Sequence, residues 1–239
     1  MSEALTDDNR EKLRHISTAT ITTALFKHGF RNLFLQGVHR IAPGPNMVGE
    51  AYTMRYIPAR EDLDVLDVFK DRTHPQRKGV EECPPGHVFI CDSRGDPSAA
   101  SAGGILATRL QVRGVAGLVT DGGFRDTPGI AELDMPAYHN RPAAPTNLIR
   151  HHAVDLNVPI ACGGAPVYPG DIIVGDNEGV AVIPAGIANE IAEEAHEMTV
   201  FEDFVEIEVG AGRPTFGLYP PTDEDTHVRF AAWRKEVGR

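Results

Sequence analysis

The stretch GGILATRLQVRGVAGLVTDGGFRD, residues 103–126, constrains this chain more than any other. Two glycines open it, and ILATRLQVRG (105–114) reads as a helix ended by Gly114. VAGLVTDG (115–122) is apolar and rich in β-formers, so it reads as a buried strand. A second glycine turn then delivers Arg125-Asp126. In open α/β sheets, ligands bind just beyond the carboxyl ends of strands, and Gly122, Gly123, Arg125 and Asp126 would sit at such an end.

The flanking sequence supplies more helices and strands. Residues 6–15 read as a helix capped by Thr6 or Asp7, and 17–28 as a second helix with Ser17 as cap and Gly29 as stop. EAYTMRYIP (50–58) is a strand with Tyr52, Met54 and Tyr56 on one face, and REDLDVLDVFKD (60–71) a short amphipathic helix. PPGHVFICDS (84–93) is a turn into a buried strand. GDPSAASAGG (95–104) is small and flexible, and GFRDTPGI (123–130) a polar turn. MPAYHN (135–140) and VPIACGG (158–164) are short strands. PGDIIVGDNEGVAVIP (169–184) is a hairpin with Asp-Asn-Glu-Gly at its tip, and 186–209 a long helix with Ile187, Ile191, Ala195 and Met198 on one stripe. The tail from Arg213 is loop-rich, then weakly helical near Trp233. No linker or composition shift marks a boundary, so one α/β domain over 1–239 is expected, with a core of about 15–212 and an extension over 213–239.

Charge narrows the function classes. A net charge of −11 repels phosphate backbones, and no basic run with interleaved aromatics offsets it, so nucleic acid is set aside as a partner. An acidic enzyme that binds an acidic substrate needs a local cation. Three dispersed cysteines do not form a disulfide framework, and MSEALTDDNREKL has no apolar core, so a reducing cytoplasm without membrane insertion is expected.

Residues 103–126 could supply that cation. Gly103 and Gly104 lack Cβ atoms and precede a helix, whose free N–H groups would hold a carboxylate. Arg125 carries a planar, permanent charge suited to a carboxylate or enolate oxygen. Asp126 offers the hard oxygen that Mg²⁺ or Mn²⁺ prefers. Such a cation would chelate the carboxylate and keto oxygens of a 2-oxo acid, with Arg125 stabilising charge on the keto oxygen as an adjacent carbon–carbon bond breaks. An Arg-Asp pair after a strand is equally what a surface turn with a local ion pair looks like.

These residues resemble the RraA-like family, which includes the class II 4-hydroxy-4-methyl-2-oxoglutarate aldolases. Members carry a loop residue, an interval and then Arg-Asp. Here Gly104, residues 105–124 and Arg125-Asp126 keep that interval. PVYPGDIIVGDNEGVAVIP (166–184) is similar to the family's hairpin, and STATITTAL (17–25) with VGEAYTM (48–54) to its N-terminal helix and strand. The resemblance covers roughly residues 15–200. It implies a β/β/α sandwich of the swivelling-domain type, assembled as trimers or dimers of trimers. It also implies a metal on Asp126, substrate contact from Arg125, and a carboxylate on the N–H groups of Gly103, Gly104, Ile105 and Leu106. Acids from a neighbouring subunit's C-terminal helix help hold metal-bound water in the aldolases, and Glu202 and Glu206 are the candidates here. Enzymes of the family usually carry Asp or Glu where this chain has Gly104.

Other residues were weighed. Cys83, His87 and Cys91 do not complete a zinc site. Asp92 starts a turn. Asp121 either orients Arg125 or caps its turn. His151-His152 reads as an exposed pair, Asp171 and Asp176 as turn-fixing residues, and Asp223, Glu224 and Asp225 as a solvated loop. No lysine sits in a setting that favours a Schiff base. Three readings follow: a metal-dependent aldolase or oxaloacetate decarboxylase working through a pyruvate enolate, a non-catalytic protein that binds ribonuclease E, and a dehydratase of sugar-derived 2-oxo acids.

Overall fold

A computed structural model describes residues 4–239. The Thr6 hydroxyl accepts from the Asn9 amide at the start of α1 (Asp7–Leu13), and Ser17 does the same for Thr20 at the start of α2 (Thr18–Lys27). Each cap satisfies an amide that the helix leaves without a carbonyl. Next come β1 (His39–Arg40), the long β2 (Met47–Pro58), α3 (Pro75–Glu82) and β3 (His87–Asp92). The central stretch is β4 (Ala100–Ala102), α4 (Gly104–Val112), β5 (Gly117–Thr120), β6 (Gly123–Phe124) and α5 (Thr127–Ala131). Then follow β7 (Ala137–His139), β8 (Arg141–Pro142), β9 (His151–Leu156), and the hairpin β10 (Ile160–Cys162) and β11 (Ala165–Val167). A second hairpin, β12 (Ile172–Gly175) and β13 (Val180–Ile183), leads to α6 (Ala188–Gly210) and α7 (Glu224–Val237).

The main sheet runs β1-β7-β5-β3-β2-β12-β13, with β9 also on β2. Strands β2, β3, β5 and β7 are parallel; β1, β9, β12 and β13 are antiparallel to their neighbours. Alternation along β3 shows how both faces are covered. Val88 and Ile90 join a core with α1, α2 and α6, whereas Phe89 and Cys91 join another with α3, α4 and α5. A strand buried on both faces reads as a continuous apolar run, as VFIC and GLVT do. The small parallel sheet β4-β6-β8 lies apart and carries the chain to Arg125. The layered α/β architecture is the expected one.

Four local expectations fail. Residues 60–71 form no amphipathic helix; only a 3-10 turn at Leu66–Lys70 appears, with none of its residues buried. The polar turn at 123–130 contains β6 and α5, and Asp223–Asp225 lead into the fourteen-residue α7 instead of a loop. The supposed exposed pair is not exposed: His151 is fully buried in β9, and His152 pairs with the buried Asp64 at 2.8 Å. The long-range register of β9 on β2, Tyr56 opposite Ala153, turns His151 inward.

Candidate functional site

The expected residues do converge. Gly103 is the N-cap of α4 and has no side chain to cap with. The Arg125 amide donates to the Ala102 carbonyl at 3.1 Å, which lays the Arg-Asp pair against the start of that helix. A Cβ on Gly103 would stand 2.9 Å from Arg125 Cγ, Arg125 Nε and Asp126 Oδ2. Only glycine permits that approach. Asp126 has φ 59 and ψ 31, the left-handed region that Asp tolerates better than most residues. Backbone strain of this kind concentrates at functional sites.

Asp126 Oδ2 accepts from the Gly104 amide at 3.1 Å and lies 3.5 Å from Arg125 Nε. The Gly104 N–H is therefore already engaged. The amides of Ile105 and Leu106 lie in the first helical turn, where an α-helix provides no carbonyl partner. Both charged side chains are about half exposed, 46% for Arg125 and 57% for Asp126, so their ion pair contributes little to stability.

Gly103, Ile105, Leu106, Arg125 and Asp126 line one cavity of about 350 Å³. Gly104 is not part of its wall. The size falls near the low end of the roughly 300–1,000 Å³ typical of small-molecule sites. The opposite contributors are Leu66, Phe69, Gln76, Arg77, Thr146 and Asn147, none of which sequence reasoning singled out. Pro75 at the first helical position was the available signal for α3. Gln76 is fixed by two donations, to Tyr56 Oη at 3.1 Å and the Ser101 carbonyl at 2.7 Å.

The open question about Asp121 resolves toward structure. It accepts from the amides of Ser93, Gly95 and Gly163 and makes no bond to Arg125. Burial raises its pKa, with those amides pulling the other way. Asp92 accepts from the Arg94 amide and starts its turn, and Asp171 holds the amides of Tyr168 and Ala185. Glu202 accepts from Thr20 and Tyr219 of its own chain, while Glu206 is exposed on α6. Cys83 and Cys91 are buried free thiols, and burial pushes Cys83 up to about 12.

Among the described residues, no three His, Cys, Asp or Glu side chains gather as a metal cage. Asp126 stands alone with one oxygen, Oδ1, outside the bonds above. A single carboxylate fits a cation such as Mg²⁺, which keeps several waters and takes the rest of its oxygens from substrate. It does not fit zinc, which takes a closed nitrogen and sulfur set. No helix among the described residues is long and apolar enough to cross a membrane.

Known proteins agree with this geometry. A Halalkalibacterium halodurans protein provisionally named 4-hydroxy-4-methyl-2-oxoglutarate aldolase is 32% identical over 184 residues, covering 77% of this chain and 80% of its own. The 4-hydroxy-4-methyl-2-oxoglutarate aldolase of Thermus thermophilus is 31% identical over 119 residues, 50% of this chain and 71% of that one. The crystal structure of Streptomyces coelicolor RraAS2, an unusual member of the RNase ES inhibitor RraA protein family, superposes with a TM-score of 0.76 at 28% identity. It covers 86% of this chain and 99% of that one. Residues 18–182 match the RraA-like profile, described as Aldolase/RraA, and the chain belongs to that family.

Proposed function

We propose that this protein is a cytoplasmic, divalent-metal-dependent lyase that cleaves a carbon–carbon bond beside the carbonyl of a small 2-oxo acid. The observation that carries the reading is the convergence of Arg125, Asp126 and the first turn of α4 on one small cavity. The amides of Gly103, Ile105 and Leu106 bind the substrate carboxylate at the positive end of the helix. Arg125 donates to the keto oxygen and meets the negative charge that grows there as the bond breaks. Asp126, held by the Gly104 amide, keeps its second oxygen for the cation. A hard divalent ion, Mg²⁺ or Mn²⁺, would supply Lewis-acid polarisation of the keto group when bound. No lysine lines the cavity among the described residues, so an amine nucleophile is not at hand.

Aldol cleavage of a 4-hydroxy-2-oxo acid and decarboxylation of oxaloacetate both yield the enolate of pyruvate, so one anchor serves both. The exposed Glu206 on α6 is free to complete the site of a neighbouring subunit in a trimer or dimer of trimers.

Pyruvate release from oxaloacetate and from 4-hydroxy-2-oxo acids, with Mg²⁺, with Mn²⁺ and with EDTA, tests the proposal. Turnover is expected with metal and not with EDTA. Arg125→Ala is expected to lower kcat/KM by about 10²–10³-fold. Asp126→Ala is expected to abolish the metal-dependent rate. Absence of turnover on every 2-oxo acid, together with tight binding to a ribonuclease E, would instead support a regulator, the role printed for the family of the Streptomyces relative.

A further inference from the structure

The cavity holds a second cation. Arg77, on α3, lines it together with Arg125, and its guanidinium carbon lies 4.4 Å from the centre of the Phe69 ring. Arg77 is half-buried and makes no ion pair among the described residues. Stacking on Phe69 fixes the plane of the guanidinium but leaves its charge uncompensated. The position of α3 is held from below, because the neighbouring Gln76 is buried and bonded to Tyr56 and Ser101.

Asn147 adds an independent observation. It is 4% exposed and lies on the same wall, and its Nδ2 has no hydrogen-bond partner. Its Oδ1 accepts from the Thr146 hydroxyl at 3.2 Å. A buried amide donor left unpaired costs free energy that a ligand acceptor can recover.

Charge then selects the ligand. The cavity wall carries two guanidiniums and one carboxylate, in a protein whose net charge is −11. A divalent cation on Asp126 would raise the local excess further. One carboxylate on Arg125 and the helix amides leaves Arg77 and Asn147 unanswered; a second answers both.

We propose that Arg77 and the Asn147 amide form a second anion subsite in this cavity, so that the substrate is a 2-oxo dicarboxylate and not a 2-oxo monocarboxylate. The inference rests on the reading of the cavity as a 2-oxo-acid site. Arg77 is a specificity residue: it grips the far end of the substrate and takes no part in the bond that breaks.

Calorimetric titration of the full chain with two unreactive probes tests this, in buffer containing Mg²⁺. 2-Oxobutanoate reports the shared 2-oxo-acid anchor, and 2-oxoglutarate reports the second subsite. 2-Oxoglutarate is expected to bind at least about tenfold more tightly, as one charged hydrogen-bonding group typically provides. Arg77→Met removes that advantage and leaves 2-oxobutanoate affinity unchanged. Arg77→Lys keeps the charge without the planar fork and restores part of it. Asn147→Asp, nearly isosteric, replaces the donor with a repelling carboxylate and weakens 2-oxoglutarate alone. Equal affinity of the wild type for the two probes, or equal losses on both in Arg77→Met, overturns the second subsite while the lyase reading stands. Failure of both probes to bind overturns the lyase reading and this inference with it.

Discussion

A methyl group on Gly103 tests how tightly the site is built. The added carbon would meet Arg125 Cγ, Arg125 Nε and Asp126 Oδ2 at 2.9 Å, too close for any of them to stay. Gly103→Ala is expected to cut pyruvate release by about tenfold or more, because small misplacements of charged groups are costly to catalysis. Stability should fall by under about 1 kcal/mol, since the position is only a helix N-cap without a capping side chain. A variant with wild-type turnover would show that the close seat does not matter. Gly104 makes a contrasting case. A Cβ there would lie 3.2 Å from Asp126 Cβ, which a shift of a few tenths of an ångström relieves. Gly104→Asp would set a second carboxylate beside Asp126 at a helix start that favours negative charge. Affinity for Mn²⁺, followed by titration calorimetry, is expected to rise about tenfold, because ligand charge tunes such sites. Unchanged affinity would mean that the new carboxylate points away from the cation.

Elements that were legible in the sequence are those whose signals are local. The caps Thr6 and Ser17, the stop at Gly29, the apolar run of β5 and the Arg125-Asp126 turn all declare themselves within a few residues. The half of the site on α4 and after β6 was readable for the same reason. The other half was not, because Arg77 and Asn147 reach the cavity only through tertiary packing of α3 and the turn before β9. Residues 60–71 have helical periodicity, but a short helix without a packed face is marginal in water. There the Arg60 amide instead bonds the Asp64 carboxylate at 2.8 Å and its guanidinium bonds Asp62 at 2.6 Å. The hairpin β12-β13 shows local and distant signals agreeing. Asp176 accepts from the Thr18 amide at 2.7 Å and hydroxyl at 2.9 Å, and from the Glu178 amide at 2.8 Å. One carboxylate so ties the start of α2 to the hairpin tip. Asp176→Ala strands these buried donors and is expected to cost about 2–3 kcal/mol in urea unfolding. A loss near zero would show that water replaces the carboxylate.

At the scale of the whole molecule, three buried histidines set how the fold responds to acid. His74, His139 and His151 are each made less basic first of all by burial, His139 down to about 4. His139 stacks on Phe124 at 5.8 Å, and its Nδ1 has no partner. A histidine whose folded pKa lies below its unfolded value binds protons more readily when unfolded. Its neutral burial is therefore fully tolerated above about pH 6.5, and stability is lost as pH falls from there toward 4. From His139 alone, the loss between pH 7 and pH 5 is about 2 kcal/mol. Asp121 and Asp171, raised by burial, act in the opposite sense, but from pKa values that start near 3.8. The histidines therefore govern the upper part of the range. Urea midpoints are expected to fall steadily from pH 7 to pH 5, and the slope should flatten in His139→Phe, which keeps a flat ring against Phe124. Because Phe124 immediately precedes Arg125, the same protonation undermines the strand that presents the site. Activity should then fall in step with the urea midpoint across this window. A midpoint independent of pH, or an unaltered slope in His139→Phe, would place the acid-sensitive group elsewhere.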